Sequence, residues 1–569
     1  MPCRWIMRSD EEVPSSVADF ADKLEISPLI AEILWSRGLH SREEMDRFLS
    51  PGLANLMDPT LIPGLEQAAQ VVAHGVREGR KIGIWGDYDV DGITSTAVLK
   101  TFFAACGVQT EHHLPNRLEE GYGLNSAGID DLFAQGVELL ITVDCGISDV
   151  APIAHAREKG MTVVVTDHHL PGETLPDAHA VCDPRLDDSC PQSHDLAGVG
   201  VAFMLVVRLR RLLECDDIDI RTLLDFVALG TVADVVPLTG QNRILVKNGL
   251  LFIKEAERPG MAALKIVSDY ERRAELGAGQ IGFNLAPRIN AAGRLGDPQK
   301  ALSMLLAESV DEAMPFAREL DMANTERRRQ EAEIAEQAME QAEQQSHRRS
   351  LVLYAGHWHP GIIGIVASRV VEKYYRPTLI LCDAGDDGVI KGSGRSISEF
   401  DLHGGLTRVA DMLLTFGGHR QAAGLSLRKD DLETLRDRFE EIVVEEVGPE
   451  PLVPSIKVDR SLSFSEIDYT LLRELEMLQP FGLGNPEPVF MSPPAVVRDC
   501  RLFGREREHV KLSLADAQSG ACLAAKAWRM GDKLTRDCKG STMTFAFTPK
   551  IDRFTGVPRI ELRVRDWNE

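Results

Sequence analysis

KIGIWGDYDVDG, residues 81–92, opens with a short β-rich run and closes with three aspartates, Asp87, Asp89 and Asp91, at alternate positions. Two more runs of the same kind, LLITV (139–143) and TVVVT (162–166), are set apart by stretches of helical composition such as 95–106 and 147–159. Strands alternating with helices imply βαβ units and a parallel sheet. Ligands of such sheets bind beyond the carboxyl ends of the strands, so residues that follow the three runs should meet in one crevice. They are acids and histidines. VDCGIS supplies Asp144, and VTDHHLP supplies Asp167, His168 and His169. LGTVADVVPL adds Asp234 inside an apolar run, where a carboxylate is costly to bury without a cation or donors.

The aspartate triplet alone allows other readings. D-x-D-x-D-G matches the first half of an EF-hand loop, but the twelfth position is Val98 where a bidentate Glu is needed, and a strand precedes it instead of a helix. A solvated acidic turn is the blander alternative. Convergence of the fragments on one crevice favours a metal site. Carboxylates about 4 Å apart repel by roughly 4 kcal/mol at an effective dielectric near 20. Asp87, Asp89, Asp91, Asp144 and Asp234 therefore need cations, and two divalent ions would offset most of their charge. Oxygen-rich ligation with one imidazole suits Mn²⁺ or Mg²⁺ better than zinc. Two such ions form a clamp for hydrolysing phosphate esters.

Further along, PNRLEEGYG (Arg117), PRINAAGR (Arg288, Asn290, Arg294), GSGRS (Ser393, Arg395) and GGHRQAAG (Gly418, His419) join glycine turns to phosphate donors. Each also reads as a turn with a surface cation. Trp358 and His359 in HWHPGIIG offer base stacking or, for the tryptophan, core packing.

The 569 residues imply three or four domains. Residues 61–300 are expected to form the first α/β domain, behind an N-terminal extension over 1–60. Residues 316–346 contain neither Gly nor Pro and too few apolar residues for a wide buried stripe, so a solvated helix of about 46 Å is expected as a strut within 301–350. A second α/β domain follows over 351–450, then a Pro/Gly-rich linker at 448–454. The runs AVVRDCRLF, VKLSLA, CLAAKAW, MTFAFTP and RIELRV within 451–569 suggest a small oligonucleotide-binding barrel.

Net charge is −24, which by itself argues against a polyanionic partner. Residues 491–569 differ, with 15 Lys and Arg against 10 Asp and Glu. No apolar run reaches the eighteen or so residues a bilayer requires, so no membrane span is expected. The start lacks a signal peptide's apolar stretch, which makes the cytoplasm the default address. Ten cysteines without a C-x-x-C pair read as reduced thiols, not disulfides or a zinc site.

In this order, DYDVDG, VDCGIS, TDHH, GTVADVVPL, PRINAAGR, GSGRS and GGHRQAAG resemble the DHH phosphoesterase superfamily, and the full length resembles its single-strand-specific exonuclease branch. The resemblance implies two α/β domains, DHH and DHHA1, joined by a long helix and followed by an OB-fold barrel. It implies 5′ to 3′ degradation of single-stranded DNA to 5′-mononucleotides in recombination and repair. By motif, Asp87, Asp89 and Asp144 would hold one ion, and Asp91, Asp144, His168 and Asp234 the other. His169 and Arg288 would face the scissile phosphate, and Asp167 would orient the histidines. Arg117, Ser393 and Arg395 match positions that recognise the 5′-phosphate, with His419 beside them. The resemblance also suggests single-stranded DNA-binding protein and a RecQ-type helicase as partners, and a monomer. Oligoribonucleases and cyclic dinucleotide phosphodiesterases resemble only the two catalytic domains, and a decayed DNA-binding scaffold would lack ligands that are all present here.

Overall fold

The computed structural model describes residues 3–568 apart from 10–11, 118, 256, 270–276, 386–387, 535–537 and 554–555. The first body is built on an all-parallel sheet whose strands lie in the order Thr110–His113, Ile82–Gly86, Leu139–Val143, Thr162–Thr166, Ala180–Cys182. Ile82–Gly86 and Leu139–Val143 are buried along their whole length, as strands covered by helices on both faces must be. Gly86 pairs with Val143, and Val143 with Thr166. That register brings Asp87, Asp144 and Asp167 out of the sheet side by side.

Apolar helices Gly198–Leu212 and Leu224–Ala233 pack over this sheet in one core with Val90–Ala105. The long helix runs from Val310 to Gln344, 35 residues, and is capped where the Ser309 side chain accepts the Glu312 N–H. It begins six residues before the expected start because Pro315 is accommodated within its second turn. Its ends belong to different cores. Ala313, Ala317 and Leu320 pack in the first body, and Ile334, Ala335, Ala338 and Ala342 in the second.

The second body has a mixed sheet in the order Leu413–His419, Ala422–Arg428, Val389–Arg395, Thr378–Asp383, Leu351–Tyr354, with only the last pair parallel. The third contains all five expected barrel strands: Ala495–Phe503, His509–Asp516, Cys522–Ala527, Thr542–Asp552 and Arg559–Asn568. Ala495–Phe503 pairs with His509–Asp516, that strand with Cys522–Ala527, that one with Arg559–Asn568, and the last with Thr542–Asp552. Ala495 and Val496 pair back to Met543 and Thr542, so the ring of pairings closes.

The N-terminal segment is not a free-standing extension. Arg4–Met7 pairs in parallel with Ser455–Val458, and Trp5 Nε1 donates to Asp566 at 2.8 Å. Val17, Ile30, Leu34 and Met45 share a core with Leu475, Phe545 and Trp567 of the barrel body. Arg243 fastens this composite to the first body. Its guanidinium donates to the carbonyls of Phe48, Leu478 and Met477 at 2.9–3.1 Å and lies 3.7 Å over the Phe48 ring.

Among the described residues no two cysteines are joined by a disulfide. Among the described residues no helix is long and apolar enough to cross a membrane.

Candidate metal centre

Asp87 leaves the end of its strand directly into the turn that starts helix Val90–Ala105. Asp89 caps that helix, accepting the N–H groups of Asp91 and Gly92 at 2.9 and 3.2 Å. Gly92 is required there, since a Cβ would lie 2.4 Å from the Asp87 nitrogen. Asp91 accepts the Gly198 and Val199 N–H groups at 2.7 and 2.9 Å, so a second helix N-terminus points at this carboxylate. Asp144 takes a left-handed backbone (φ 60°) as it leaves its strand, and Asp234 caps the C-terminus of Leu224–Ala233.

His168 completes the set. Its Nε2 lies 3.1 Å from Asp144 Oδ1, 3.7 Å from Asp234 Oδ2 and 3.8 Å from Asp91 Oδ2. Three overlapping groups each present ligand atoms within 4.8 Å of one another: Asp87, Asp89 and Asp144; Asp91, His168 and Asp234; and Asp144, His168 and His169. Asp87 Oδ1, Asp144 Oδ1, Asp234 Oδ2 and both His168 ring nitrogens are buried without a hydrogen-bond partner. Buried polar atoms are ordinarily satisfied, so four such orphans facing one cleft, three carboxylate oxygens and His168 Nε2, describe a receptor for cations.

Titration follows the same logic. Burial first, and then the neighbouring aspartates, hold Asp87, Asp144 and Asp234 well above the carboxylate range and push Asp91 up to about 7. Burial and then the neighbouring His169 push His168 down to about 3, which leaves a neutral imidazole suited to ligation. Asp167 behaves differently. Burial opposes its charge, but His169 Nδ1 at 2.7 Å and the Ile147 and His168 N–H groups at 3.0 and 2.7 Å hold its carboxyl below the ordinary range. Burial also opposes charge on His169, and the bond to Asp167 outweighs it, raising His169 to about 9.

Beside the carboxylates a cavity of about 250 Å³ is lined by Tyr88, Arg117, Tyr122, His169, Asn290 and Arg294, among others. Arg117 stacks over Tyr88 at 5.1 Å, and Arg294 donates to the Gly361 carbonyl at 2.8 Å. Arg395 donates to Ser393 Oγ at 3.2 Å; its guanidinium pKa is depressed by burial and then by the charge of Arg117. His419 is lowered by burial and then by Arg395. The guanidiniums of Arg117, from the first α/β body, and Arg395, from the second, thus act on each other electrostatically, with His419 near Arg395. Among the described residues neither Arg117 nor Arg395 forms an ion pair with an acid.

One expected residue lies elsewhere. Arg288 is turned away, ion-paired with Asp321 at 2.8 Å, and does not line the cavity. At 100° per residue it sits on the face of helix Ala286–Leu295 opposite Asn290, so Asn290 and Arg294 face the cleft instead. Of the two readings of Trp358, core packing is the one the structure adopts: it is 2% exposed, with its Nε1 donating to Gln337 at 2.8 Å.

Sequence reasoning missed Tyr122, whose hydroxyl lies 3.2 Å from His169 Nδ1. The flanking Gly121 and Gly123, both at positive φ, were the available signal. It also missed an aromatic cluster on the barrel. Phe503, His509 and Trp528 meet edge to face with centroids 4.7–5.5 Å apart; Trp528 is 47% exposed, and Arg505, Arg507 and Arg529 are exposed nearby in sequence.

Three family models match the chain: the DHH family, N-terminal domain, over 81–231; the DHHA1 domain over 348–445; and the RecJ OB domain over 458–566. The chain is 35% identical over 565 residues to the single-stranded-DNA-specific exonuclease RecJ of Bacillus subtilis, covering 99% of this chain and 70% of that protein. It is 38% identical over 552 residues to its namesake in Escherichia coli, covering 94% of each. The crystal structure of RecJ from Thermus thermophilus in complex with Mn²⁺ superposes with a TM-score of 0.85 at 30% identity, covering all of this chain and 79% of that one.

Proposed function

Because this chain belongs to the RecJ family of single-stranded-DNA-specific exonucleases, we propose that it degrades single-stranded DNA from the 5′ end, releasing 5′-mononucleotides by metal-assisted hydrolysis during recombination and repair. The observation that carries the reading is the pair of ligand groups, Asp87–Asp89–Asp144 and Asp91–His168–Asp234, set side by side with their buried oxygen and nitrogen atoms unpartnered.

Asp87, Asp89 and Asp144 would hold one Mn²⁺ or Mg²⁺, and Asp91, Asp144, His168 and Asp234 a second, with Asp144 shared. Bound there, the ions supply an activated water and charge neutralisation for the attacking and leaving oxygens. The protein's own groups do the rest. Asp91 is fixed by two backbone donors from helix Gly198–Leu212, so its carboxylate does not turn away when a cation leaves. Asp167 orients His169 through Nδ1, so that Nε2 would face the scissile phosphate. Arg294 and Asn290, which line the cavity, would stand beside that phosphate, where the motif alone gave Arg288.

Polarity rests on the guanidiniums of Arg117 and Arg395, with Ser393 and His419 beside them. A terminal phosphate carries more charge than an internal phosphodiester, so paired guanidiniums without acid partners favour the 5′-phosphorylated end. The barrel, with its local excess of positive charge and its aromatic cluster, would hold the strand farther along. Digestion of single strands labelled at either end tests the reading. Metal-dependent release of label from the 5′ end first supports it, and release from the 3′ end first, or preference for a dinucleotide over a long strand, overturns it.

A further inference from the structure

Helices Val90–Ala105 and Gly198–Leu212 are tied together at their N-termini, where Asp91 accepts the Gly198 and Val199 N–H groups. Their far ends also meet. Cys106 caps the first helix and Cys215 follows the second, 109 residues later, and the two Sγ atoms stand 3.2 Å apart. Both thiols are presented by a well-defined helix terminus. Beyond Cys106 the Val108 N–H returns to the Phe103 carbonyl at 2.8 Å; before Cys215, Glu214 takes a left-handed conformation and the Cys215 N–H returns to the Arg210 carbonyl at 2.9 Å. Both residues are partly exposed, so a small reagent reaches them.

We propose that Cys106 and Cys215 are a redox pair that closes into a disulfide by exchange with a low-molecular-weight disulfide, bracing the two helices whose other ends build the metal site. Closing the bond requires the sulfurs to approach by about 1.2 Å, to roughly 2.05 Å. In the first step the Cys215 thiolate attacks one sulfur of the reagent, forming a mixed disulfide and expelling one thiolate. In the second, the Cys106 thiolate attacks Cys215 Sγ and expels the other. The two protein thiols lose two protons and two electrons, and the reagent leaves as two thiols. Burial and then the neighbouring Cys215 raise the Cys106 thiol to about 12; the two thiols can exchange roles in these steps without changing the product. The bond would link two segments distant in the chain and restrict the unfolded state accordingly. The pairing is independent of the nuclease reading, since it rests on two thiols at the opposite ends of the helices from the carboxylates.

The test uses the full chain, incubated with oxidised glutathione or with dithiothreitol, alkylated and digested without reduction. The expected product is one crosslinked peptide joining Cys106 to Cys215, reversed by dithiothreitol, while exposed Cys522 carries only glutathione. The oxidised chain should unfold roughly 3 °C or more above the reduced one. Cys106→Ser and Cys215→Ser should each show neither the crosslink nor the shift. Recovery of both cysteines as alkylated or separately glutathionylated residues, or an unchanged midpoint in a crosslinked chain, overturns the proposal.

Discussion

Asp91 and Gly198 are joined by a 2.7 Å hydrogen bond, and the same glycine lies so close to Asp144 that a Cβ would fall 2.7 Å from its carboxylate oxygen. One residue without a side chain therefore sets the separation of two proposed ligands of the same ion. Gly198→Ala should push Asp144 aside and lower hydrolysis by about 10- to 100-fold, the usual cost of disturbing the groups behind metal ligands. Titrating activity against Mn²⁺ checks this, and part of the loss should be recovered at high metal concentration. A wild-type metal dependence would show that the contact is tolerated.

Arg395 is held by Ser393, and its guanidinium feels the charge of Arg117 on the first α/β body. Its removal by Arg395→Gln should reduce the preference for a 5′-phosphorylated over a 5′-hydroxyl strand by roughly 10- to 100-fold, the worth of a charge-assisted hydrogen bond or two. KM should carry the change. An equal loss on both strands would instead place Arg395 in general strand binding.

Asp183, at the end of the edge strand Ala180–Cys182, is fully buried, with Oδ1 accepting the Arg185 N–H at 2.7 Å and Oδ2 unpartnered. Burial pushes its carboxyl up to about 7 from an ordinary 3.8. Between those values the folded chain keeps a proton that the unfolded chain has released, so stability falls as pH rises through the window, and the penalty is complete above about 7. Asp183→Asn should stabilise the chain by roughly 2–4 kcal/mol at pH 8 and by much less at pH 5. Thermal midpoints at the two pH values give the comparison; an equal gain at both would point to packing in place of ionisation.

Trp528 is 47% exposed beside Phe503 and His509. Trp528→Ala should weaken binding of a long thymidine oligomer by about 5- to 100-fold through lost stacking. The dependence of affinity on salt should stay the same because no phosphate contact is removed. Removing the barrel outright is a poorer test, because it would expose the helices of residues 16–49 that share its core.

The centre of the sheet and the carboxylates around it were legible because both follow from local rules. Buried parallel strands read as continuous apolar runs, and their carboxyl ends face one crevice, which fixes Asp87, Asp144, Asp167 and His168 without any contact being known. The edge strands were not legible. Thr110–His113 is polar and half-buried, and Ala180–Cys182 has three residues, so neither carries a period. Arg288 was misplaced because a motif gives proximity in sequence, whereas the phase of its helix decides which side chain enters the cleft. The docking of residues 4–7 and 16–49 on the barrel depends on pairings such as Trp5 with Asp566, too distant in the chain for periodicity or turn signals to reveal.

Everything in the proposed chemistry depends on two cations sharing Asp144. Anomalous scattering from crystals grown with Mn²⁺ tests this most directly. The account predicts two manganese peaks, one among Asp87, Asp89 and Asp144 and one among Asp91, Asp144, His168 and Asp234, both lost in Asp144→Ala together with cleavage. A single peak, or manganese bound away from these side chains in an active enzyme, would contradict it.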